Sequence, residues 1–220
     1  MANINSYAAS ALKDNDNFLV SDGDTGATKN VSAKEIIAKK QFEYQVGQYL
    51  QSQGGVIFHR WLSTSSLATP TTGTIQNYLV VDTNDLSAST DYATLGVDIP
   101  GVESTWDGKI NTDNLILAGA PYGITVGTAA ELCSSSTNNG KNDWYLPAID
   151  ELCKIFQNRW EVAQGISASG GSQPNLAPYW SSTEYNATDA MVLDLITSVT
   201  FAANKSSMCS VRAVRRFSII

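Results

Sequence analysis

Between Asp143 and Phe156 the chain reads DWYLPAIDELCKIF, and no other stretch limits the fold so narrowly. Trp144, Tyr145 and Leu146 form a run of large apolar residues, and Pro147 follows with φ held near about −65° and no N–H to donate. Proline suits a helix entry, where that N–H would have no partner in any case. Leu152 and Phe156 then recur at helical spacing. The segment is expected to be an extended run feeding a short amphipathic helix from about Ala148 to Trp160. Trp144, Leu146, Leu152 and Phe156, with Trp180 further on, are better explained as core than as an exposed ligand platform.

The rest of the chain falls into unequal parts. Residues 1–31 are expected to form a small module with short strands at Phe18–Ser21 and Thr28–Val31 around the turn DGDTG. Ser32, three residues before Glu35, is expected to open a helix running to Gln53 and ending at Gly54-Gly55. Its apolar residues lie on two narrow stripes, Ile36, Val46 and Leu50 on one and Phe42 and Tyr49 on the other. Such a helix packs on the next domain or bundles with copies of itself, and self-association is the reading preferred. Residues 54–220 are expected to be one head domain of short strands, with strands at GGVIFHRWL and IQNYLVVDT and a long acidic loop to Gly108. A short helix is expected at TAAELCSSS with Thr128 and Glu131 as its capping box, an irregular loop over Gly165–Pro178, and closing strands near Tyr179–Ser182, Ala190–Ile196 and Cys209–Ser218.

Charge bounds the function. A net charge of −7 disfavours nucleic acid as partner. From Trp61 to Cys153 two lysines face eleven carboxylates, whereas from Lys205 onward Lys205, Arg212, Arg215 and Arg216 face none. A basic final strand closing on an acidic middle explains this better than an anion site. Cys133, Cys153 and Cys209 allow one bridge but neither a disulfide framework nor a zinc site, and His59 is the only histidine. No apolar run is long enough to span a membrane, and MANINSYAAS lacks the basic-then-apolar pattern of an export signal. The chain is therefore expected to carry no export signal of its own.

Several fragments combine into a resemblance. They are Gly54-Gly55-Val56-Ile57-Phe58, the strand Tyr78–Asp82, Asn111-Thr112 ahead of a first helix, and Asp143-Trp144-Tyr145-Leu146-Pro147 with Glu151-Leu152. Tyr179-Trp180-Ser181-Ser182-Thr183-Glu184 and Val211-Arg212-Ala213-Val214-Arg215 with Phe217 complete the set. In order and spacing, Gly54 to Phe217 resembles the C-type-lectin-like family typified by the C-terminal part of a collagen-like bacterial adhesin, which recurs in bacterial surface proteins and in phage fibre and tail proteins. The resemblance implies an α+β fold of two short helices with small antiparallel sheets. Within it Gly55, Asp143, Trp144, Leu146, Pro147, Glu151, Trp180, Arg212 and Arg215 are structural signature residues. Two departures stand out. Ala148 occupies the position where the family has serine, so that this helix start has to rely on Pro147, Asp150 and tertiary packing. Gln173-Pro174-Asn175 resembles a calcium-lectin triplet, yet no Trp-Asn-Asp follows and residues 165–178 hold no carboxylate; Ca²⁺ needs several oxygen ligands, so no metal and no cofactor is expected. The first module is similar to the opening of phage fibre subunits.

Function is expected in the loops. Gly165–Pro178, Tyr185–Asp189 and Ala202–Ser207 are rich in Gly, Ser and Asn with occasional aromatics, a composition suited to adaptable recognition. Asn175, Tyr179, Tyr185 and Asn186 are the candidate binding residues; the competing explanation is that they are solvated loop positions. Asp143, Glu151 and Glu184 are expected to be held by Arg212 or Arg215 rather than to act as an acid pair, and a lone His59 offers no nucleophile–base pair. No catalytic residue is expected. The chain is expected to be a phage virion protein of fibre or decoration type. Its homo-oligomer, a trimer by family habit, would attach to another virion protein through the N-terminal module, and its head would meet a host-surface glycan or protein. A bacterial surface or secreted protein of the same fold, or an architectural capsid or tail subunit without a receptor, are the alternatives.

Overall fold

The computed structural model describes residues 17–21, 28–32, 42–64, 74–94 and 96–219. The chain divides into two units, residues 1–43 and 44–220. In the first, β1 (Asn17–Ser21) pairs antiparallel with β2 (Thr28–Ser32), Phe18 opposite Val31. Both expected strands are there, but β2 continues through Ser32, the expected helix cap. Residues 33–41, the first part of the expected helix, lie outside the described residues. Beyond them the helix does not reach Gln53: residues 42–53 form turns and a two-residue strand, β3 (Tyr49–Leu50). Gly47 and Gly54 have positive φ and break any helical path there. Leu50 is buried within the second unit, and β3 pairs with the start of the next strand.

The second unit is α+β, as expected. One sheet is antiparallel with order β11–β5–β4–β3, where β4 is Gly55–Thr64, β5 is Thr74–Asp82 and β11 is Val214–Ile219. The other has order β6–β10–β7–β8–β9, from β6 (Ser87–Thr90), β7 (Pro178–Glu184), β8 (Asp189–Asp194), β9 (Val199–Asn204) and β10 (Cys209–Val211). Ser210 meets Tyr179 in parallel; the other pairings are antiparallel. Four described helices join the sheets: α1 (Gly108–Ala118), α2 (Ala129–Ser134), α3 (Ile149–Gln157) and α4 (Arg159–Ser169).

The differences from the expected elements have physical causes. Asn111 and Thr112 lie inside α1, not ahead of it, with their polar side chains buried and bonded to Ser104 O and Leu146 N respectively. The helix expected to reach Trp160 breaks at Asn158, whose amide donates to Phe58 O and Lys154 O. The start of the expected loop, Gly165–Ser169, is the end of α4 instead. Gly165 looked like a breaker, but it is a close-approach position: a Cβ there would stand 2.3 Å from Gly47 O and 2.6 Å from Val56 Cγ1. The expected capping box of α2 does not form: Glu131 accepts from Gly127 N, one residue before the cap, and the Thr128 hydroxyl donates to Thr125 O. Cys133, Cys153 and Cys209 are free thiols.

Two apolar cores fill the unit, and the same segments serve both. Trp144 and Leu146 belong to one core and Tyr145 to the other. Trp180 and Tyr179 split likewise, as do Val192 and Leu193, and Ala213 and Val214. Successive side chains of extended backbone point to opposite faces, so these four segments form a wall with a core on each side. Tyr145 is seated in it by reciprocal backbone hydrogen bonds with Val214, at 2.8 and 3.0 Å. On β8 both faces are therefore covered, Val192 by one core and Leu193 by the other.

Glu151 ties α3 to this wall. Its carboxyl, 6 % exposed, accepts from Ala148 N at 2.8 Å, Gly108 N at 3.2 Å and Tyr145 Oη at 2.8 Å. A Cβ at Gly108 would fall 2.4 Å from Ala148 N and 2.5 Å from Glu151 Oε2, so only glycine permits this approach. The hydroxyl that Ala148 lacks is supplied from elsewhere: Ile149 N donates to Thr183 Oγ1 and Asp150 N to Thr105 O. Burial outweighs the three donors and pushes the Glu151 carboxyl up to about 7 from 4.5.

Two stability predictions follow from these contacts. A Cβ at Gly55 would stand 2.3 Å from Val81 O, so Gly55→Ala is expected to cost about 2 kcal/mol in chemical denaturation; an unchanged midpoint would show that the strands part freely. For Glu151, the unfolded chain ionises near 4.5 while the folded one keeps its proton to about 7. Its stabilising contribution is therefore complete below the lower value and declines as pH rises through the window, by roughly 2–3 kcal/mol. Glu151→Gln is expected to flatten the fall in stability between pH 5 and pH 8; parallel profiles for the two proteins would refute the shift.

Candidate functional site

The four expected binding residues are not brought together. Tyr179 is only 2 % exposed, and its hydroxyl donates to Asp85 Oδ2 at 2.8 Å while accepting from Asn175 N at 2.7 Å. It is a tether for the loop, not a contact surface. Asn186 Oδ1 accepts from Thr188 N and Asp189 N, closing the β7–β8 turn on itself. Asn175 is exposed at one end of β7 and Tyr185, 65 % exposed, lies just past the other. A strand of that length separates them by about 20 Å. Gln173 is likewise structural, donating to Ala163 O and Ser167 Oγ on α4.

The residues read as a signature of the fold lie in the cores or in ion pairs and hydrogen bonds with neighbouring segments. Trp144 and Trp180 are buried, their indoles donating to Asn138 O and Thr90 O. Leu146 is in the core, and Pro147 O accepts from Ser182 N. The basic end of the chain closes on acidic partners: Arg212 on Asp85 at 2.6 Å, Arg215 on Asp143 in a two-pronged pair at 2.7 Å, and Arg216 on Asp107 at 3.3 Å. Burial alone would raise the Asp143 carboxyl, but Arg215 outweighs it and holds it below the usual carboxylate range. Glu184 is matched by the buried Lys205 and not by an arginine. Glu151 has no cationic partner in its hydrogen bonds. The three acids considered for an acid pair are thus engaged with three separate sets of partners.

Residues not singled out from the sequence as a group form a cleft of about 210 Å³, lined by His59, Trp61, Trp106, Asp150, Lys154 and Arg216 among others. Sheet register builds its floor. A bulge between Ile57 and His59 sets both Phe58 and His59 against one residue of β5, which turns His59 and Trp61 onto the face carrying Val56 and Leu79. Arg216 and His59 flank Leu79 on neighbouring strands, so the three stand in one row across the sheet. His59 stacks on Trp61, ring centres 5.8 Å apart and planes 20° from parallel. Helix α3 supplies one wall, with Asp150 and Lys154 one turn apart. The other wall is Trp106 and Asp107, and Asp107 is fixed by accepting from Ile110 N at the start of α1 and by Arg216. Burial, and then Lys154, lower the affinity of His59 for a second proton, so it stands in the cleft as a neutral donor and acceptor.

Trp106 is 70 % exposed and Trp61 40 %. A signal for Trp106 was in the sequence: a tryptophan set in an acidic, polar loop outside any apolar pattern. No pattern announced the bulge that re-aims Trp61.

A second concavity, about 360 Å³, lies among Phe156, Arg159, Trp160, Pro174, Leu176 and Leu195. Like the first cleft it is lined mainly by apolar surface, but its polar side chains are already engaged, the Arg159 guanidinium over the Phe156 ring at 4.6 Å and Gln173 on α4. Ligand sites combine apolar walls with a few convergent polar groups that fix orientation. The cleft at Trp61 and Trp106 meets that description better.

No curated protein matches the chain. The family model for the Lcl C-terminal domain matches residues 100–215, just over half of the chain. That span takes in both walls of the cleft, Trp106 with Asp107 and Asp150 with Lys154, and the four segments between the cores, while the floor residues His59, Trp61, Leu79 and Arg216 lie outside it. The chain belongs to the Lcl C-terminal domain family.

Proposed function

We propose that this chain is an adhesin-like surface-recognition protein, a phage virion component of fibre or decoration type whose C-type-lectin-like head binds a host-surface glycan or protein and catalyses no reaction. The observation that carries the reading is the pair of solvent-facing indoles, Trp61 and Trp106, beside exposed polar groups in a cleft that the two cores do not need. Membership of a family whose name derives from an adhesin domain supports it, and the likeness of residues 1–31 to phage fibre openings favours the virion over a cell surface. Attachment to another virion protein and homo-oligomerisation, with a trimer preferred, are assigned to the N-terminal unit.

The mechanism is multivalent display. A shallow cleft gives weak single contacts, and copies repeated on one particle convert later contacts into intramolecular ones, multiplying avidity by about 10²–10⁴. The acids Asp143, Glu151 and Glu184 serve the fold, each held by its own partners.

Beads coated densely with the full chain are expected to adhere to host cells, while the free chain competes only weakly. Antibody against the chain is expected to label purified particles, and light scattering to give a mass three times the 23.6 kDa of one chain. Beads that adhere no better than uncoated ones would overturn the adhesion reading, and unlabelled particles the virion reading.

A further inference from the structure

We propose that the cleft between Trp61 and Trp106 binds a neutral sugar ring, a pyranose unit of a surface glycan, without a metal ion. The inference rests on the surface-recognition reading above and names the ligand class of that site.

The aromatic residues come first. A pyranose has a face of C–H groups that packs flat against an indole, and its edge is a ring of hydroxyls. Trp106 leaves most of its large apolar surface in water, at a cost the fold could have avoided by burying it. Trp61 has one face against His59 and so presents a rigid plate held at a set angle.

The polar groups come second. Asp150 offers two acceptors, Lys154 and Arg216 offer donors, and neutral His59 offers one of each. All stand on the sheet and on α3, whose positions the wall and Glu151 fix. Such groups match hydroxyls, which donate and accept at each carbon. Glu151 itself is not available, since both its oxygens are occupied by Gly108 N, Ala148 N and Tyr145 Oη.

Charge then selects among ligands. Asp107 and Asp150 balance Lys154 and Arg216, and Asp107 already meets Arg216 at 3.3 Å. A sulfate or phosphate would have to displace that carboxylate, and a quaternary ammonium ligand would meet two fixed cations. An uncharged polyhydroxylated ring pays neither cost. Size points the same way: about 210 Å³ is below the roughly 300–1,000 Å³ that drug-sized ligands fill, and fits one ring of a chain whose remainder stays outside.

The test uses the full chain, labelled so that the indole N–H signals of its five tryptophans are resolved by NMR. Methyl glycosides of glucose, galactose, mannose and N-acetylglucosamine are titrated to about 50 mM, the range for a millimolar site. At least one is expected to shift the Trp61 and Trp106 signals while those of Trp144, Trp160 and Trp180 hold still. Trp106→Ala and Trp61→Ala are each expected to weaken that affinity about tenfold or more, some 1.4 kcal/mol, with the remaining indole signals undisturbed. Trp160→Ala, in the other concavity, is expected to leave it unchanged. Absence of any shift, a shift confined to Trp160, or a response to a sulfated disaccharide alone that vanishes in about 0.5 M salt would overturn the proposal. The same proteins on beads separate the two readings. Adhesion that persists in Trp106→Ala without any sugar response sinks the sugar site and leaves recognition standing. Sugar shifts without adhesion sink the adhesion reading alone.

Discussion

One buried carboxyl holds together a helix, the extended run that enters it and a segment far back in the sequence. Glu151 reaches back to the amide at the entry of its own helix, across to the amide that begins α1, and down to the Tyr145 hydroxyl in the wall between the cores. Each of those donors would be costly to leave unmatched in an apolar interior. The carboxyl therefore fixes the angle at which α3 stands over the sheet, and with it the placing of Asp150 and Lys154. The same contact requires Gly108 to lack a side chain. One wall of the cleft thus depends on a carboxyl that is itself almost wholly buried.

The basic tail is the second organising element. Arg212, Arg215 and Arg216 each cross to an acid contributed by a different earlier segment, and Lys205 is buried against Glu184 with Val97 O as a further acceptor. Arg212 also donates to the backbone carbonyls of Asp82 and Ser172. Buried pairs of this kind contribute little net stability relative to apolar substitutes, but losing one partner strands the other. Their effect is on placement: the last strand can close in only one position if all the pairs are to be made.

Much of this was legible in the sequence. The Asp143–Pro147 run, the asymmetry of charge and the burial of Trp144, Trp180 and Leu146 followed from residue type and spacing, and the α+β class from the family resemblance. What failed, failed for identifiable reasons. Gly165 signalled a break because a glycine needed for close packing looks the same as one needed for a turn. The helix expected to reach Gln53 gives way over residues 42–53 to turns and β3, where Gly47 and Gly54 take positive φ. Tyr179 looked like a loop aromatic, and only the fold reveals that its hydroxyl is spent on Asp85. The cleft was missed because it is assembled from five separated segments, and the bulge in β4 that aims Trp61 into it leaves no mark in a single sequence. The asymmetry between Lys205 and the arginines shows the same limit: the sequence announced that the final cations would be neutralised, but not which acid each would find.

The wall that parts the two cores carries one further consequence, for descent. Because neighbouring residues in it face opposite interiors, the insertion or loss of one residue in 144–146, 179–180, 192–193 or 213–214 would send each side chain into the wrong compartment. Lineages carrying this head are therefore free to lengthen or shorten only the connections at its rim. The residues that meet the outside world can drift, duplicate and be exchanged on a frame that tolerates no change of length.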